Sequence, residues 1–372
     1  MNKYSARHLV IPAAALVGIL ATGCGTVSAT PTSSSTNSST GANMTNGTSA
    51  SSSGNSTGTA APMSGMKGEL LIGAAASSPM KMQGNGNFYI EHASSGKLST
   101  IALSKGANAF RAAIDGNKAY VPTKQGKTYV INLQSGKVTS SFSSPKGARI
   151  ANTAKADHLL LITGNSSITA YSLPSLKQKW QLKTGGQALS IAGQTAYLSG
   201  QMATKTQIVD LKSGKITGSI PVGHIEDSVY DKQQHTLWLA NWNNGQMTIV
   251  NTKTNKVEGS VTKKEGGGFN MKNMMKSSGG FMQLAAGPAG KRVYAASFSG
   301  NIMVYNAAKN TFAKDIRVGK MSMLSGLAIN PSGTVAYTTV ENKMETVAVS
   351  LKTGKIKHTY PNLMSNRWFV IH

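Results

Sequence analysis

Methionine is the residue type in this chain best placed to do chemistry. Of 17 methionines, three stand together as Met271-x-x-Met274-Met275, and Met282 follows shortly after. Thioethers are soft ligands that suit Cu(I). They do not protonate, so they remain ligands in acid, where His and Cys fail. Met271, Met274, Met275 and Met282 therefore define a candidate Cu(I) site that His224 could assist. The same residues also read as a flexible apolar contact surface, because Met adapts to irregular partners. The contact surface is the preferred reading and copper its alternative. No two His residues have metal-ligand spacing, so zinc is not expected.

A second constellation is charged and polar: Arg111, Arg149, Gln187, His224, Glu226, Asp227, Gln283 and Arg367. Glu226 and Asp227 are the only adjacent acids. Neighbours along a strand point to opposite faces, so this pair is not expected to share a proton in acid–base catalysis. Gly54-Asn55-Ser56-Thr57-Gly58 fits G-x-S-x-G. That motif needs a strand before it and a helix after it, and low-complexity sequence supplies neither. No catalytic residue is assigned, and a non-enzymatic protein is expected.

The elements that position these residues repeat. Short β-branched and aromatic runs recur at Ala119-Tyr120-Val121, Ala196-Tyr197-Leu198, Leu237-Trp238-Leu239, Val293-Tyr294-Ala295 and Ala336-Tyr337-Thr338. Each is followed by a polar loop and a second run, such as Ile208-Val209-Asp210-Leu211. A turn such as Ser213-Gly214-Lys215 and a third run then follow. The turn glycines Gly96, Gly136, Gly214 and Gly354, with Asn255 and Asn310 in the gaps, set a period of about 40 residues. Alternating runs with regular turns mean antiparallel strands, and four per unit at this period mean a propeller blade. The third unit is degenerate, with Leu159-Leu160-Leu161-Ile162.

These units resemble the YVTN-repeat family of β-propellers, whose units run aromatic-Val-Thr-Asn, Val-x-Val-Ile-Asp, a Lys-bearing turn, then Ile-x-Val-Gly. The stretch 207–223 carries Ile208-Val209-Asp210-Leu211, Ser213-Gly214-Lys215 and Ile220-Pro221-Val222-Gly223. The resemblance implies a fold more than a function, because propellers host many activities. Seven units are counted. The first lacks an innermost strand before Leu70, and aligning 318–330 with 360–372 supplies one at the chain end. An all-β, seven-bladed β-propeller is expected, its C-terminal strand completing the first blade. By register, the charged constellation falls with Ser325 and Asn366 at the mouth of the axial channel. Mixed charges there could bind a small anion or sugar, and a solvated rim is the plainer reading. Two insertions, 75–87 and 263–280, share one face with Met80, Met82, Met202, Met321, Met323 and Met364. Long loops on a rigid scaffold are where function usually sits.

The N-terminus sets the compartment. Lys3 and Arg7 precede an apolar run over 9–20, shorter than the roughly 20 residues a membrane span needs and suited to a signal peptide. The run ends in Leu20-Ala21-Thr22-Gly23-Cys24, which resembles the bacterial lipobox but has Ala21 where that motif carries Leu. The resemblance implies a diacylglycerol on Cys24; the alternative is an ordinary signal cut after Ala29. Cys24 is the only cysteine, so no intramolecular disulfide can form. The organisation expected is a signal peptide over 1–23, a lipidated Cys24 and Ser/Thr/Gly/Asn tether over 24–66, and a propeller over 67–372. The tether is too poor in apolar residues to offset its ordering entropy.

Lys and Arg number 38 against 13 Asp and Glu, a net charge of +25. Either a polyanionic partner or an acidic habitat explains this. Paired carboxylates protonate in acid and drive denaturation, so a chain with few of them has less to lose. Arginine forks, which phosphate recognition favours, are sparse, so habitat is preferred and nucleic acid is not expected. The composite expectation is a monomeric lipoprotein, anchored to the bacterial membrane facing the periplasm or cell surface. It would present a Met- and Lys-rich face to a protein partner as a binding or scaffold module. One alternative is an extracytoplasmic copper protein. Another is a propeller enzyme of lactonase or dehydrogenase type, for which clustered acids to hold Ca²⁺ are lacking.

Overall fold

Strand residues alternate between the two faces of a sheet, and here both faces are apolar. Leu237 and Leu239 are buried in one cluster, while Trp238 and Ala240 are buried in the next. A sheet of this kind must be covered on both sides, and a ring of like sheets does that. In the computed structural model, which describes residues 66, 68–78, 83–242, 245–262, 280–319 and 322–372, the strands form seven four-stranded antiparallel sheets. Seven apolar clusters fill the seven spaces between adjacent blades. The segments read as a signal peptide and a tether, with Cys24, lie outside the described residues as far as 65, as do Met80, Met82, Met271, Met274, Met275 and Met321. Met66, expected in the tether, is fully buried in the cluster between the last blade and the first.

Each blade runs from an inner strand at the axis to an outer strand. Four of the turns before the outer strands share an Asn or Asp that accepts an amide of the turn. Asp210 Oδ1 accepts the Ser213 amide at 2.7 Å, and Gly214 takes φ +66°. Asn132 Oδ1 accepts the Ser135 amide at 2.8 Å, with Gly136 at φ +64°. Asn255 and Asn310 adopt the same left-handed conformation at φ +57° and +51°, which Asn tolerates better than most side chains. In the degenerate third blade Leu176 takes it, at φ +57°.

The ring closes through the chain end. Ser365–Ile371 pairs antiparallel with Leu70–Ser78 and becomes the inner strand of the first blade. Trp368 is fully buried and donates from Nε1 to Thr339 Oγ1 at 2.8 Å. Its indole fills the space left by two glycines. A Cβ on Gly73 would lie 2.7 Å from the ring, and one on Gly326 2.6 Å from it.

Antiparallel topology fixes two ends. Inner strands begin at the upper end, where loops between second and third strands also lie. They finish at the lower end, where the turns into outer strands lie. Met202 is therefore at the upper end, and Lys137 and Lys215, in the Ser-Gly-Lys turns, are at the lower end. Lys124 and Lys205, in loops between second and third strands, share the upper end with Met202, so lysine stands at both ends.

Two buried acids set a pH dependence. Burial pushes the Glu91 carboxyl up to about 7. It pushes Glu341 up to about 7 as well, with the neighbouring Ser325 hydroxyl pulling the other way. The unfolded chain releases these protons near pH 4.3, whereas the folded chain holds them to about 7. Their contribution is most favourable below the unfolded value and is lost as pH rises through that window. We expect a melting temperature several degrees lower at pH 7.5 than at pH 4, at roughly 2–4 °C per kcal/mol. The Glu91→Gln/Glu341→Gln variant should flatten that slope; an unchanged slope would refute the assignment. We also expect deletion of 368–372 to abolish cooperative melting and solubility. A cooperative melt near that of the intact chain would refute closure.

Candidate functional site

At the upper end, several inner strands carry a β-bulge at the same depth. Register slips between Ile225 and Asp227, between Phe281 and Gln283, between Leu324 and Leu327, and opposite Gly73 and Ala75 in the closing strand. A bulge re-aims side chains. Its consequence is that Glu226 and Asp227, adjacent in sequence, both reach the arginines gathered there. Glu226 Oε1 lies 3.5 Å from Arg367 Nη2, and Oε2 accepts a hydrogen bond from Gln201. Asp227 Oδ1 lies 3.4 Å from Arg111 Nη1, and Oδ2 accepts the Leu284 amide at 2.8 Å. Each acid meets its own arginine and a different neighbouring blade, Glu226 the fourth through Gln201 and Asp227 the sixth through Leu284.

Three arginines meet these two acids. The guanidinium carbons of Arg149 and Arg367 each stand 4.7 Å from the Phe110 ring centroid, within cation–π range. Burial lowers the Arg111 pKa, against the pull of Asp227 and with help from Arg367. Burial lowers Arg149 too, Arg367 adding and Glu226 opposing. Burial raises Glu226, while Arg367 and Gln201 pull it back and Asp227 adds to the rise. Glu226, Asp227 and Arg367 are each no more than 2 % exposed, so this is a buried lock and not the solvated rim expected.

Gln283 is a strut between blades. Its Oε1 accepts the Leu327 amide at 2.7 Å and the Trp368 amide at 3.1 Å, and its Nε2 donates to the Trp368 carbonyl at 3.2 Å. Gln187 and His224 lie outside the lock. Gln187 donates to Asn165 at 3.3 Å beside a small recess that Met202 and Gln201 also line. His224 Nδ1 meets the Gln201 carbonyl at 2.9 Å. Gln201, which the sequence reading did not single out, thus links His224 to Glu226.

Among the described methionines of the expected face, burial differs widely. Met282 and Met364 are buried at 1 % and 4 %, and Met202 is 91 % exposed. Met282, one of the four candidate ligands, is buried where its strand bulges. Among the described residues no group of three or more His, Cys, Asp and Glu side chains is gathered to hold a metal.

A cavity of about 910 Å³ opens at the lower end. Asn152, Ser190 and Ser228 line its wall from the inner strands of three successive blades, Lys155 and Lys232 its rim, and Arg111 its upper reach. One polar residue thus comes from each of these three inner strands.

A family model described as outer membrane protein assembly factor BamB matches residues 80–360. It is a propeller family other than the YVTN-repeat one that the turns resemble. No curated protein matches the chain. Among solved structures, Kuenenia stuttgartiensis hydrazine synthase is similar at 13 % identity and TM-score 0.55, over 66 % of this chain and 77 % of that one. A chain of a mitotic checkpoint complex crystal structure is similar at 14 % identity and TM-score 0.58, over 70 % and 80 %. At such identities the likeness shows the fold alone.

The lock yields a stability test. Removing one member of a buried ion pair costs about 3–5 kcal/mol, because the other charge is left buried. Arg367→Met should lower the unfolding free energy in urea by that amount, and adding Glu226→Gln should restore a large part of it. Equal losses in the single and double variants would show that the pair is not coupled.

Proposed function

The chain belongs to the family of the outer membrane protein assembly factor BamB, and on that footing we propose that it is a non-catalytic, envelope-associated binding module for a protein partner. The observation that carries this reading is how the axial groups are engaged. Asp227 and Gln283, the polar groups best placed for chemistry at the axis, hold neighbouring blades through backbone amides. What the fold offers to other molecules is its loops. The upper-end loops, with exposed Met202, are the surface we assign to the partner. The family's named task, assembly of outer membrane proteins, is the kind of scaffold work such a surface would serve.

The lipobox-like segment ending in Cys24 supports a lipid anchor, with the tether giving the propeller reach from the membrane. Among the described residues no helix is long and apolar enough to cross a membrane. The lysine excess and the proton-holding Glu91 and Glu341 both support an acidic habitat.

Photo-crosslinking tests the partner surface. A benzophenone side chain at position 202 should give a discrete protein adduct in cells, while one at exposed Ser140, on an outer strand, should not. Adducts at neither position, or the same smear at both, would refute the assignment. Cys24→Ser should move the protein from the membrane to the soluble fraction, and its retention on the membrane would refute lipidation.

A further inference from the structure

The lower-end cavity has a composition that the binding-module reading does not use. Its ionisable lining is Arg111, Lys155, Lys232, His235 and Tyr230, with no carboxylate among the lining residues. Asp231, next in the chain to Lys232, is turned away and buried, its Oδ1 accepting the Gln233 amide at 2.9 Å. Lys155 and Lys232 are exposed at the mouth. Between them, in the intervening blade, stands Gly193, and a Cβ there would meet nothing within 4 Å. The mouth is therefore wide where a third side chain would otherwise narrow it.

Deeper in, the lining becomes neutral and polar. Ser190 Oγ and Ser228 Oγ are 2.8 Å apart, with either as donor. Arg111 is held in place by Asp227, yet its Nε is buried without a hydrogen-bond partner. The sum is a recess with cations at its mouth, a cation at its upper reach and hydroxyl and amide groups between. Its volume, about 910 Å³, lies in the range of small-molecule sites, roughly 300–1,000 Å³.

We propose that this cavity binds a small soluble molecule bearing phosphate or carboxylate groups, with Lys155 and Lys232 holding its anionic groups at the mouth. The site lies at the end opposite the surface assigned to the protein partner, and stands or falls independently of it.

Calorimetric titration of the full-length protein in detergent micelles tests this, with pyrophosphate and citrate as probes and glucose as the uncharged comparison. At least one anion should bind with one-to-one stoichiometry and weaken as salt is raised. Lys155→Gln/Lys232→Gln should weaken it at least about tenfold, the scale of a lost charge-assisted hydrogen bond, with the melting temperature unchanged. Lys137→Gln/Lys215→Gln removes the same charge from outer turns at the same end and should leave affinity within about twofold. No binding of either anion, binding at several equivalent sites, or equal loss in both paired variants would overturn the proposal.

Discussion

Closure of the ring is the constraint on which the rest of this structure depends. Each blade is apolar on both faces, so each cluster between blades exists only if both neighbours are in place. The first blade reaches the axis only when the last residues of the chain return to it. Until then its strand Leu70–Ser78 presents an open edge, the kind of edge that invites pairing with other chains. The socket for Trp368 is made by what is missing at Gly73 and Gly326. Arg367, its neighbour, carries the cation that meets Glu226. One strand therefore closes the sheet, fills the socket and completes the charge at the axis.

Seven apolar interfaces of similar composition favour a ring but say little about which face meets which. Directional contacts between inner strands supply that information. Asn152 donates to the Leu189 carbonyl across the third and fourth blades. Ser190 meets Ser228 across the fourth and fifth. Asp227 takes the Leu284 amide across the fifth and sixth, and Gln283 spans the sixth, seventh and first. A buried ion pair contributes little net stability once its desolvation is counted. The Arg367–Glu226 pair is better understood as specifying the arrangement: any other partner for either charge leaves it buried and unmatched.

What was legible in the sequence was local or periodic. An Asx residue followed by a left-handed Gly or Asn announces four of the turns, at Asn132, Asp210, Asn251 and Asn306, and alternation between two apolar sets announces strands covered on both sides. Even ring closure was legible, because 360–372 repeats the pattern of 318–330. The bulges were not. A bulge belongs to the pairing of two strands, and a single strand's residues do not reveal the slip. That is why the sequence placed the charged groups at the axis without showing which acid meets which arginine. The separation of Met202 from Lys215 follows from counting strand direction through one blade, a step that composition alone obscures. The lower cavity draws its wall from three blades whose Asn152, Ser190 and Ser228 look unremarkable one at a time.

The two ends of the ring differ in how they respond to protons. The upper end holds carboxylates that burial raises: Glu341 near Ser325, and Glu226 in the lock. The lower cavity is lined by the cationic side chains Lys155, Lys232 and Arg111 and by no carboxylate, and added protons do not remove a cation. Its field therefore persists in an acidic medium that would neutralise most acids of a competing protein surface. The ligand is subject to the same chemistry. A carboxylate with a pKa near 4 loses its charge in such a medium, whereas a phosphate keeps at least one. If the protein works in acid, a phosphate is the anionic group that its lower end would still hold, and the same lysine excess that tolerates the medium would select the ligand.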